Sequence, residues 1–121
     1  LGKQLLKIAV VYFLIGIAFG LYMSITHMFH LATVHVHVNL LGWMSLAIIG
    51  ILYHLYPQLA GTRCANTHFW LHNIGLPVMM IGIALAILTS NPIFFLTATI
   101  GGVITVIGIF FFGFNVLRNL K

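Results

Sequence analysis

His35 and His37 stand two residues apart at the head of an apolar run that continues to Pro57. Each residue of a helix turns the chain by about 100°, so imidazoles at i and i+2 point roughly 200° apart and one helix serves two pockets. A histidine just inside a membrane helix is costly to desolvate unless it is coordinated or hydrogen-bonded, which makes it a functional-site hypothesis by default. A lone one can simply bond a carbonyl. Two on opposite faces, about a turn inside the outer boundary of a chain with only 4% charged residues, point to ligation. Neutral imidazole suits haem iron and copper, and an apolar, aromatic-rich bundle suits a haem macrocycle. His35 and His37 are therefore the candidate cofactor ligands.

The other five histidines offer weaker patterns. His27 and His30 are three apart in the uncharged connector 26–33, and share a face if a helical turn continues through them. With Met23 and Met28 they make a candidate outer copper or zinc site, the mark of a metal-handling accessory protein. His68 and His72, at i and i+4, head the third apolar run, and His54 lies near the inner end of the second. Those three can meet at the cytoplasmic face with the geometry of zinc or copper. In the competing reading, His54, Tyr53, Tyr56 and Trp70 anchor the helices at headgroup depth.

The elements that must position these residues are membrane helices. The 121 residues are 62% hydrophobic and include no Asp and no Glu. A soluble domain of this size needs a charged surface and a lipid-facing one does not. The missing carboxylates exclude a carboxylate general base, calcium or di-iron ligation by carboxylates, and an acidic proton relay within this chain. The net charge of +5 is spread over segment ends, which argues for topology and against nucleic acid. Cys64 is the sole cysteine, so neither an internal disulfide nor a Cys-x-x-Cys metal site is available.

Four apolar segments of spanning length occur, at 8–25, 36–56, 69–88 and 93–114. They predict an all-α, four-helix integral membrane bundle forming one domain over 1–121, surrounded by lipid. The run after Lys7 is long and has no small-x-small cleavage site, so it reads as a retained first span. Short connectors make neighbouring helices antiparallel, and 58–67 is the one long connector. Lys3, Lys7, Arg63, Arg118 and Lys121 then share one side, which the positive-inside rule makes cytoplasmic together with both termini. Gly16, Gly20 and Ser24, and likewise Thr97, Gly101 and Thr105, form small-residue stripes suited to close helix contact, within or between chains. On the second span, His35, Asn39, Gly42, Leu46, Gly50 and Tyr53 share one face by helical count. The glycines flatten that face for a planar ligand or a neighbouring helix.

The segment His-x-His-x-Asn-Leu-Leu-Gly-Trp, followed by Tyr53-His54-Leu55-Tyr56-Pro57, resembles the haem-copper oxidase subunit I superfamily, including its nitric oxide reductase branch. That family arranges twelve helices as three four-helix arcs, and the second helix of the last arc carries His-x-His, one imidazole on a low-spin and one on a high-spin haem. Helix order, direction and depth agree here, and the specific likeness covers about 34–57. It implies haem b on His35 and His37, copper as a further cofactor, a respiratory electron donor, and work in electron transfer or in oxygen or nitric oxide chemistry. A non-catalytic structural subunit of a respiratory complex is the remaining alternative. The chain departs from the family in having no His-His pair, no histidine with Tyr at i+4 and no acidic residue, so the likeness does not extend to dioxygen reduction by this chain alone. One arc walls each pocket only partly. The resemblance therefore implies a homotrimer, with a dimer as next choice, and His35 and His37 facing different pockets.

Overall fold

The computed structural model describes Leu1–Lys121, and every regular element in it is helical. Four stretches are long and apolar enough to cross a membrane: Gly2–Thr26, Ala32–Leu55, Arg63–Thr89 and Phe94–Asn119. The first is helix α1. The second is composite: α2 (Ala32–His37), a π-helical segment (Val38–Met44) and α3 (Ser45–Leu55). A four-residue α4 (Pro57–Ala60) leads to α5 (Arg63–Thr89) and α6 (Phe94–Asn119). The protein is an integral membrane protein, and only 28 of its 121 residues are buried. Leu117, Phe110 and Ile25 stand exposed, as a lipid-covered surface permits.

Two connectors differ from the sequence expectation for local reasons. The long connector after the second span is mostly helix, because Pro57 opens α4 and Thr62 caps α5, its Oγ1 accepting the Ala65 N–H at 3.1 Å. At the other end, α1 stops at His27, whose φ of 54° lies in the left-handed region. No helical turn continues from His27 to His30, so the shared face expected for that pair does not form.

The helices pack mainly on their chain neighbours, and both small-residue stripes serve that packing. Gly20 leaves room for the His35 ring, since a Cβ there would stand 3.1 Å from its Cε1. Gly16 does the same for the Asn39 side chain. In the α5–α6 pair, a Cβ on Gly101 would lie 2.7 Å from the Gly75 carbonyl oxygen, and one on Gly82 would lie 2.5 Å from the Ala98 nitrogen. Backbones this close gain dispersion contacts that lipid chains cannot match. Along the second span, Gly42 seats the Tyr12 ring and Gly50 lies on Gly2 and Leu5. A neighbouring helix occupies that flat face, and Trp43 adds a stack on Phe13 with centroids 4.5 Å apart.

The spans alternate in direction. Gly2 at the start of α1 lies against Gly50 and His54 near the end of α3. At the same end, Asn115 of α6 donates from Nδ2 to the Leu59 carbonyl at 3.0 Å. Lys3, Lys7, Arg63, Arg118 and Lys121 therefore share the end opposite His35 and His37.

Candidate functional site

Both histidines of the His-x-His pair are anchored through Nδ1. That of His35 lies 2.9 Å from the Gly16 carbonyl oxygen, and that of His37 lies 2.8 Å from the Thr33 carbonyl oxygen. A carbonyl only accepts, so each Nδ1 carries its hydrogen and donates. Asn39 Nδ2 comes within 3.3 Å of His35 Nδ1, but its donation goes to the His35 carbonyl at 2.9 Å. Each neutral ring is thereby fixed in the tautomer whose Nε2 keeps a lone pair. Metal-binding histidines are held in this way, with the second nitrogen donating to a carbonyl.

Neither Nε2 has a partner within the chain. No buried side-chain nitrogen or oxygen lacks one, so these two lone pairs open outward from partly buried rings. His35 lies against α1 at Gly20. His37 lines a groove of about 550 Å³ between the second span, α5 and α6, with Leu41, Met79, Thr99, Val103 and Phe110 along it. An apolar groove with one imidazole at its wall has the composition of a cofactor site, and its residues fit a haem.

A second polar feature is fully internal. Tyr53, His68 and His72 are buried, and they form a chain of hydrogen bonds across the half of the molecule that carries the basic residues. His72 Nε2 lies 3.0 Å from the Leu41 carbonyl oxygen, so it donates, leaving Nδ1 as an acceptor. His68 Nε2 donates to that Nδ1 at 3.0 Å, and the Tyr53 hydroxyl donates to His68 Nδ1 at 3.1 Å. One acceptor at the end thus sets every proton position when both rings are neutral. The i, i+4 spacing of His68 and His72 was a readable signal. Tyr53 was not, because the π segment adds one residue to the helical repeat. That turns the inner half by about 100° relative to His35 and brings Tyr53 onto α5.

The remaining histidines stand apart. His54 is exposed on α3 and does not join His68 and His72, whose four ring nitrogens are all engaged. His27 and His30 are exposed in the connector between α1 and α2. No three His or Cys side chains gather closely enough to hold a metal ion, so the zinc or copper site expected of His54, His68 and His72 does not assemble within the chain.

No protein-family model matches the chain, and no solved structure matches it. It is 47% identical over 47 residues to the Cbb3-type cytochrome c oxidase subunit CcoN1 of Stutzerimonas stutzeri. The match takes in 34% of this chain and only 10% of that protein. The chain thus spans a small fraction of the relative's length. Over that stretch it is homologous to a member of the haem-copper oxidase subunit I superfamily, the family that the His-x-His segment resembles.

Proposed function

We propose that the chain binds haem b through Nε2 of His37 in the apolar groove and through Nε2 of His35, and that it serves electron transfer or haem-linked gas chemistry. The observation that carries this reading is the anchoring of both rings through Nδ1, which presents two lone pairs from one helix. When bound, haem supplies one-electron exchange and an iron site for a small gas molecule. The chain's own part is to orient the two imidazoles, to make them better donors through the Gly16 and Thr33 carbonyls, and to keep water from the groove. The test is the absorption spectrum and pyridine haemochrome of protein purified in detergent after expression with ample haem. A Soret band with stoichiometric haem b is expected, and a colourless protein would overturn the proposal. Elemental analysis of the same sample separates haem iron from copper or zinc.

The groove at His37 is open on one side, so a bound macrocycle needs further walls. We place these on further copies of the chain, three to an assembly, with a respiratory protein as electron donor. Because both small-residue stripes are used inside the chain, the contacts between copies fall on the exposed aliphatic and aromatic faces. The mass in detergent, corrected for bound detergent, is expected at three copies. A monomer holding six-coordinate haem at full occupancy would contradict this.

A further inference from the structure

The π segment and the buried polar chain meet at one atom. Within the segment, bonds run five residues back, as from the Ser45 N–H to the Leu40 carbonyl, and four-back bonding resumes in α3. Passing from the first pattern to the second skips one carbonyl, and the skipped position is Leu41. At membrane depth an unpaired carbonyl is strongly disfavoured. His72 Nε2–H supplies the missing donor at 3.0 Å. Ser45 Oγ, the nearest hydroxyl in sequence, is already committed to the Leu40 carbonyl at 2.8 Å.

Leu41 lies one turn beyond His37, and both line the same groove. Were the π segment to relax into α-helix, the outer half of the span would rotate by about 100° against the inner half, and His37 with it. The donor on His72 is itself secured: His68 Nε2–H occupies its Nδ1, and the Tyr53 hydroxyl occupies His68 Nδ1. Tyr53 lies near the inner end of the second span, so the chain of bonds leaves that span, crosses two side chains of α5 and returns to its middle.

We propose that His72 is a positioning residue, held in its donor tautomer by His68 and Tyr53, that pins the π segment and so sets where His37 Nε2 points. The proposal rests on the haem reading for the purpose of that nitrogen, but the pinning itself is measurable without haem. Hydrogen–deuterium exchange over Val38–Leu46 is compared in detergent among the wild type, His72→Leu, His72→Gln and Tyr53→Phe, followed by titration of each with haem b.

In His72→Leu, exchange is expected to speed by about tenfold or more, the scale of one buried carbonyl left unpaired. Tyr53→Phe is expected to give a smaller increase, and His72→Gln, whose amide also donates, should restore slow exchange. With haem bound, the Soret maximum should shift in His72→Leu and return in His72→Gln, while helicity stays unchanged. Exchange and spectrum both at wild-type values in His72→Leu would overturn the proposal. If His72→Leu does not fold, Tyr53→Phe decides alone, and wild-type exchange in it is the contrary result. If the wild type takes up no haem, the functional reading fails, and the exchange comparison still decides whether His72 pins the segment.

Discussion

Replacing His35 and His37 together by alanine is expected to abolish the Soret absorption of the haem-loaded protein while leaving a folded, helical chain. Each single alanine should halve the band or shift it, because the two imidazoles project from different sides of one helix. The distinction from a structural role lies in what else is lost. Each ring gives up one hydrogen bond to a backbone carbonyl, Gly16 or Thr33. That is worth about 1 kcal/mol for the part-buried bond of His35 and less for the exposed bond of His37. If the histidines served only those bonds, the double variant would melt slightly earlier and lose no chromophore. Full haem retention in the double variant would place the ligands elsewhere.

The largest loss of stability is expected in the α5–α6 pair. In Gly101→Leu, the first added carbon would stand 2.7 Å from both the Gly75 carbonyl oxygen and Met79 Cα, which are backbone atoms with no rotamer to change. Separating the helices would open contacts along their length, at a cost of about 3 kcal/mol or more. Gly113→Leu on the same helix is the control, since a Cβ there meets nothing within 4 Å. Thermal unfolding in detergent should show a large fall for the first and little change for the second. Equal behaviour of the two would mean that the close approach at Gly101 does not hold the pair together.

Much of this architecture is legible in the amino-acid sequence. The four apolar runs and the missing carboxylates fixed a membrane chain of four spans, and the basic residues marked their shared end. The helix limits came out short, because Pro57 and Thr62 start helices in polar sequence where no apolar run announces them. The His-x-His segment was found by type and spacing, and its likeness to oxidase subunit I agrees with the partial match to CcoN1. Sequence could not reveal how the rings are anchored, since Gly16 contributes only a carbonyl oxygen and any residue carries one. Nor could it reveal the π segment. No residue type demands an added residue in the helical repeat, and the segment's support comes from His72, thirty-one positions away. The count that assumed uninterrupted α-helix consequently put Tyr53 beside His35, and left it out of the group it forms with His68 and His72.

The coordination of iron by these two nitrogens is tested most directly by pulsed electron paramagnetic resonance of the ferric protein labelled with nitrogen-15 in histidine alone. The expected result is strong histidine nitrogen coupling in the wild type, altered in His35→Ala and in His37→Ala and absent from the double variant. Haem bound at full occupancy with no histidine coupling, or with coupling unchanged in the double variant, would contradict ligation by His35 and His37.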